Sequence, residues 1–145
     1  MAHVVRRYIQ SQNSSAKVLL KLDFKNAFNM IHRDKMLHAA REHIPSLYPF
    51  IWQCYRETTA LTYGVQQGDP LGPLLFCLLA QNLISTLRSE LNIWYLDDGT
   101  LGGPIDSVLE NLETIKSSAS SLGLHLNIDK CEFYPLGRCR QLWSK

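Results

Sequence analysis

Three aspartates carry the chemistry that this 145-residue sequence can offer: Asp23, Asp97 and Asp98. Asp23 closes an aliphatic run, KVLLKLD, and Asp97-Asp98-Gly99 lies between two apolar runs. If the strand ending at Asp23 neighbours the later bend, the carboxylates meet at one edge of a sheet. Clustered carboxylates repel, and taking water from them is costly, so such a group persists where a cation neutralises it. Hard oxygen donors at an open position suit Mg²⁺, which is held by one or two carboxylates together with substrate phosphates. Two such ions can activate a hydroxyl and stabilise a leaving phosphate group. Neighbouring strand residues point to opposite faces, so a turn is needed to bring both Asp97 and Asp98 near one ion. Asp-Asp-Gly by itself is also the composition of an ordinary hairpin turn.

The elements that must position these residues can be read along the chain. Residues 2–10 read as a short helix, 12–16 as a turn and Lys17–Asp23 as a buried strand. Residues 34–43 have helical spacing, and a second short helix starts near Pro49 and carries residues 50–55. Residues 58–63 favour a strand. Gly68-Asp69-Pro70 reads as a helix start, with Asp69 as the cap and Pro70 in the first turn. That helix runs to about Arg88 on an apolar face that includes Leu75, Leu79, Leu83 and Leu87. Residues 92–96 and 100–101 read as strands around Asp97-Asp98-Gly99. Residues 104–122 repeat apolar side chains at three and four, and Gly123 ends that helix. Residues 124–128 and 131–134 are short strand-like pieces. The order predicts an α+β domain with helices over one face of a mostly antiparallel sheet.

Composition narrows the classes. With 46% hydrophobic and 19% charged residues the chain can build one core and is not a disordered tail. A formal net charge of +2 lacks the strong basic stripe of a free-standing nucleic-acid binder. Cys54, Cys77, Cys131 and Cys139 form no CxxC and have no histidine pair at metal spacing, so no zinc or disulfide partner is expected. The start, MAHVVRRYIQ, has no apolar stretch of leader length, and the apolar run at 71–80 is too short for a bilayer. The expectation is an intracellular, unsecreted protein without a membrane partner; nucleus and cytoplasm are not separated.

Four phrases together resemble the reverse transcriptase palm. Leu22-Asp23-Phe24-Lys25-Asn26-Ala27-Phe28 looks like the first motif of that family, and Gln67-Gly68-Asp69-Pro70-Leu71-Gly72-Pro73 like the second. Tyr95-Leu96-Asp97-Asp98 resembles the third, and Gly123-Leu124-His125-Leu126-Asn127 with Lys130 the fourth. All four stand in the family's order, and KLDFKNAFN, VQQGDPLGPLLFCL and YLDDGTLGG are similar to eukaryotic non-LTR retrotransposon polymerases.

The resemblance implies an RNA-directed DNA polymerase: two-metal transfer of a dNTP to a primer 3′-hydroxyl, with an RNA template and a DNA primer as partners. It implies a polymerase palm, a split β-α-β (ferredoxin/RRM-like) antiparallel sheet, in one palm-like domain over residues 1–145. Asp23, the Phe24 carbonyl, Asp97 and Asp98 are then the ligands of Mg²⁺, with Mn²⁺ as the alternative. Lys25, Asn26, Ala27 and Phe28 lie along the nucleotide, and the Phe28 ring leaves no room for a 2′-hydroxyl. Gln67 and Gly68 border the template base and the nucleotide. Lys130 stands near the pyrophosphate as proton donor or charge neutraliser. Lys17, Lys21, Lys25, Arg33 and Lys35 either touch phosphates or form an ordinary wet surface.

The same resemblance places the fingers upstream and the thumb downstream of this stretch, and makes the segment 64–66 shorter than usual before the second motif. Few phosphate contacts then remain, which predicts weak or absent turnover from this stretch alone. The alternative is an inactive retroelement-derived fragment, or a weak nucleic-acid or protein-binding module. A nucleotide cyclase shares the split plan but gives no reason for QGDPLGP. An RNA-recognition module requires exposed sheet aromatics, and the sequence shows no such pattern.

Overall fold

Val18, Leu19, Leu20 and Leu22 are all buried in the computed structural model, so the KVLLKLD run is covered on both of its faces. It forms strand β1, Lys17–Asp23. The structure describes residues 2–11, 17–56, 63–66 and 68–137. Helix α1, Ala2–Ser11, precedes β1, and α2 (Ala27–Met30), α3 (Arg33–His43), α4 (Tyr48–Arg56) and α5 (Gly72–Ile84) follow it. Then come β2 (Leu91–Tyr95), β3 (Asp98–Pro104), α6 (Ile105–Ala119) and β4 (Glu132–Leu136). Among the described residues no helix is long and apolar enough to cross a membrane.

The sheet order is β2-β3-β1-β4, and every neighbouring pair is antiparallel. β3 and β4 therefore run parallel to each other with β1 between them and α6 as their connection, the split β-α-β plan expected from the sequence. β1 is covered on both of its faces, which explains why its apolar residues form a near-continuous run rather than an alternating one.

The contacts divide the chain into two compact units. The first draws its described residues from 1–24, 87–116 and 126–145 and contains the sheet. Glu90 joins three of its parts: Lys17 Nζ lies 2.6 Å from its carboxylate, and the Tyr8 hydroxyl of α1 donates to the same oxygen at 2.9 Å. The Lys17 bond, then that of Tyr8, holds the Glu90 carboxyl below the usual carboxylate range. Buried Asn111 accepts from the Arg88 N–H at 3.1 Å and donates to Ser89 Oγ at 2.5 Å, fixing the approach to β2.

The second unit, 25–86 with 117–125, is helical, and α3 packs on both α4 and α5. Its buried side chains include Ile31, Met36, Ile51, Leu75 and Phe76. Gly123 has φ +82°, and a Cβ there would collide with the Met30 carbonyl, so no other residue fits this corner without strain. Arg33 is buried, not a phosphate contact on a wet surface: its guanidinium donates to the Gly64 carbonyl at 2.9 Å and the Tyr63 carbonyl at 3.2 Å, and lies over the Tyr55 ring at 5.2 Å.

Several boundaries differ from the sequence reading. α5 starts at Gly72, with Pro73 in its first turn, and ends at Ile84 rather than Arg88. The Thr86 hydroxyl donates to the Leu83 carbonyl at 2.7 Å, a local bond that competes with another helical turn. Leu87 continues the apolar period but belongs to the first unit. The hairpin turn is Leu96-Asp97, not Asp97-Asp98-Gly99, because Asp98 and Gly99 are already paired in β3. The 124–128 piece is no strand; it holds one bridge, Phe24 to Leu126. The short helix α2 is an element that the sequence reading lacked. The expected turn at 12–16 and most of the expected strand at 58–63 fall outside the described residues; Tyr63 makes a single bridge with His32.

Candidate polymerase site

β1 ends at Asp23 and β3 begins at Asp98, and the two residues are direct partners in the antiparallel register. Their Cβ atoms therefore lie on the same side of the sheet, at one end of its two central strands. Asp97 precedes Asp98 in the turn. Its neighbour Leu96 has φ +56°, a left-handed conformation that costs a branched side chain about 1–2 kcal/mol. That strain is stored in the turn that presents the acidic pair.

The hairpin is buttressed from one face. Trp94 on β2 stacks on Phe24 with ring centroids 5.8 Å apart, and its indole N–H donates to Asn92 Oδ1 at 2.8 Å. A Cβ on Gly99 would come within 2.5 Å of the Trp94 ring, so the glycine makes room for it. Asp-Gly looks like a turn signal in the sequence; here the glycine is a packing device inside a strand.

Lys130 Nζ is 3.9 Å from Asp23 Oδ2 and remains largely exposed. The loop that carries it is tied to β1 by the Asn127 N–H, which donates to the Asp23 carbonyl at 2.8 Å. The side chains of Asp97 and Asp98 make no hydrogen bond or ion pair among the described residues. No three His, Cys, Asp or Glu side chains among the described residues converge as a ready-made metal cage. The donor set is nevertheless of the kind that suits a hard cation: carboxylate oxygens at a half-exposed sheet end.

In the helical unit, Phe28 stacks on Phe76 with centroids 4.7 Å apart. Phe28 and Gly68 line one cavity of about 330 Å³ with Val65, Gln66, Asp69 and Gly72. The first and second motifs thus meet there. Gly68 has φ +82° and open space where a side chain would stand. Gln67 lies outside the described residues. Lys25 is exposed and its N–H is donated to the His125 carbonyl at 2.7 Å. Asn26 is left-handed at φ 45°, and its side-chain oxygen accepts from Asn29 Nδ2 at 2.6 Å; Ala27 is buried. Of the lysines near the first motif, Lys17 is engaged by Glu90 and Lys21 lies 3.5 Å from Glu132.

Tyr55 is a residue that sequence reasoning missed. Its hydroxyl donates to Asp69 Oδ2, and the Leu71 N–H donates to Asp69 Oδ1 at 2.8 Å. Burial, then the bond to Asp69, pushes the Tyr55 hydroxyl above its ordinary range and keeps it a donor. An aspartate between glycine and proline was the available signal, but it pointed to a helix cap. Exposed Tyr95, Phe133 and Tyr134 do stand on sheet strands, against the reading that found no such aromatics.

A split β-α-β sheet with aspartates at adjoining ends of its two central strands is the plan of a polymerase palm. Residues 2–140 match the reverse transcriptase (RNA-dependent DNA polymerase) family, and the chain belongs to it. The chain is 37% identical to the retrovirus-related Pol polyprotein from the type-2 retrotransposable element R2DM of Drosophila melanogaster, over 47% of this chain and 8% of that protein. It superposes on apo telomerase of Candida tropicalis truncated from its C-terminal domain with a TM-score of 0.72 at 14% identity, covering 93% of this chain and 35% of that one. Telomerase of Candida albicans in complex with a fragment of telomeric RNA gives 0.67 at 15% identity, covering 91% and 29%. These two likenesses concern the fold alone.

Proposed function

We propose that the chain serves as one palm-like domain, residues 1–145, of an RNA-directed DNA polymerase that adds dNTPs to the 3′ end of a DNA primer on an RNA template. The observation that carries this reading is the register of Asp23 against Asp98, beside the strained turn of Asp97. Asp23, Asp97 and Asp98, with the Phe24 carbonyl, would hold Mg²⁺ or Mn²⁺. The Phe24–Leu126 bridge uses the carbonyl of Asp23 and leaves that of Phe24 outside it. A bound divalent ion supplies charge neutralisation at the attacking hydroxyl and at the leaving pyrophosphate.

The chain's own groups do the rest. Phe28, braced by Phe76, stands beneath the sugar and excludes a 2′-hydroxyl, which selects dNTP over NTP. Gly68 lets the backbone approach the base, with Gln67 beside it. Lys25, Asn26 and Ala27 border the phosphates. Lys130, free to swing from its exposed position near Asp23, delivers a proton or a positive charge to the leaving group. Positioning and electrostatics supply nearly all of the rate in phosphoryl transfer, which is why the support of the hairpin matters as much as its carboxylates.

The test is Mg²⁺-dependent dNTP incorporation on a primed RNA template, with Asp97→Ala alongside. Incorporation that Asp97→Ala abolishes supports the assignment; incorporation that survives it refutes the assigned site. A chain that binds primed template without incorporating nucleotide has the fold without turnover.

A further inference from the structure

The segment around Gly68 carries one carboxylate, Asp69, on the lining of the cavity shared with Phe28. A carboxylate beside a pocket for a triphosphate repels its ligand unless its charge is engaged elsewhere. Both oxygens of Asp69 are engaged: Oδ1 by the Leu71 N–H and Oδ2 by the Tyr55 hydroxyl. Tyr55 lies on α4, 3% exposed, and its oxygen also accepts from the Gln66 N–H at 3.3 Å. One tyrosine thus bonds the chain on both sides of Gly68, at Gln66 before it and at Asp69 after it. Arg33 fixes the tyrosine in turn, with its guanidinium over the ring and its donors on the Tyr63 and Gly64 carbonyls. Gly68 itself is exposed, left-handed and open.

We infer that Tyr55 is a positioning residue for nucleotide binding: it turns the Asp69 carboxylate away from the incoming phosphates and holds the backbone of Gly68 toward the cavity. This rests on the polymerase reading above and extends it to a residue outside the four motifs. Tyr55 acts through Asp69 and Gly68 and touches no reacting atom, so its removal weakens nucleotide affinity and spares the chemical step.

The experiment compares the 145-residue chain with Tyr55→Phe, Asp69→Ala, Asp69→Asn and the Tyr55→Phe/Asp69→Ala double variant. Hydrogen exchange of the Asp69 and Leu71 amides is measured without ligand. Binding of a dNTP with Mg²⁺ is titrated, and KM and kcat are separated. Tyr55→Phe keeps the ring under Arg33 and loses only the hydroxyl. It is expected to speed exchange at both amides and to weaken dNTP binding roughly 10-fold, the loss of one hydrogen bond to a charged group, with kcat changed less than about 3-fold. Asp69→Ala matches it, and the double variant is no weaker than either single. Asp69→Asn keeps an acceptor for Leu71 and a partner for the hydroxyl, and restores binding to within about 2-fold.

Faster exchange with unchanged dNTP affinity in Tyr55→Phe overturns the inference and leaves the polymerase reading intact. Unchanged exchange overturns it as well. An unaltered chain that binds no dNTP overturns the polymerase reading and this inference together.

Discussion

Asp69 and Asp98 each stand next to a glycine, and both belong to motifs of the same family, but the structure treats them in opposite ways. Asp69, in the helical unit, has both oxygens tied to its own chain, by Leu71 and Tyr55. Asp98, at the sheet end, is exposed and opposite Asp23, and its side chain has no hydrogen bond or ion pair among the described residues. Residue type and spacing do not separate the two. What separates them is where the lone pairs go: inward, to order a loop, or outward, to the open sheet end where the proposed cation would sit. Carboxylates left outward beside one another repel, and Lys130 at 3.9 Å from Asp23 offsets this only in part, which is the physical argument behind the proposed divalent ion.

The sharpest way to break that contrast is to remove charge while keeping shape. Asp23→Asn is expected to reduce Mg²⁺-dependent incorporation on the order of 10³-fold, the several kcal/mol that a metal ion contributes to such a reaction. Asp69→Asn is expected to leave it within about 2-fold, because the amide oxygen still accepts from the Leu71 N–H and the amide NH2 can donate to the Tyr55 hydroxyl oxygen. Equal losses in the two variants, read in the same steady-state assay, would erase the distinction between outward and inward aspartates. A second pair contrasts two of the left-handed glycines of the helical unit, Gly68 and Gly123. Gly123→Ala meets the Met30 carbonyl as well as an unfavourable φ and is expected to cost about 3 kcal/mol or more in urea unfolding. Gly68→Ala meets only the φ cost, about 1–2 kcal/mol, since the space beside it is open.

Smaller effects probe the support of the sheet end. Gly99→Ala presses a methyl group into the Trp94 ring and is expected to cost about 2 kcal/mol. Adding Trp94→Leu, which removes the ring from that space, should return part of that loss; a strictly additive double variant would mean that the two residues are uncoupled. The smallest effect is at Glu90. Its carboxyl is held below the ordinary range by Lys17 and Tyr8, so its contribution is present above the usual glutamate range and disappears as pH falls through the depressed value. The site is half open to water, so the contribution is below about 1 kcal/mol. The Tm difference between the native chain and Glu90→Gln should shrink between pH 7 and pH 3.

Much of this was legible in the residues. β1 could be delimited because its apolar run has no helical period, and Gly123 could be placed as the left-handed end of the helical stretch, although α6 itself stops at Ala119 and a 3₁₀ turn, Ser120–Leu122, intervenes. The meeting of Asp23 with the acidic pair was legible only on the condition that their strands are neighbours, and the register meets that condition. The hairpin was misplaced because Asp-Gly serves equally as a turn and as a gap for a tryptophan, and nothing local distinguishes them. Asp69 was taken for a helix cap because the sequence does not reveal that a tyrosine on α4 reaches it. Arg33 was counted among surface charges because its partners are backbone carbonyls, which no pattern of side chains announces. For Asp69 and Arg33 the missing information was a contact distant in sequence.

The central position of β1 has a consequence for how the protein is made. Its neighbours are residues 98–104 on one side and 132–136 on the other, both synthesised long after it. At ~5–20 residues per second, a ribosome leaves this apolar strand without edge partners for several seconds. During that interval Val18, Leu19, Leu20 and Leu22 form a template for any passing strand. The segment that ends in Asp23 is thus also a part of the nascent chain that needs shelter from aggregation.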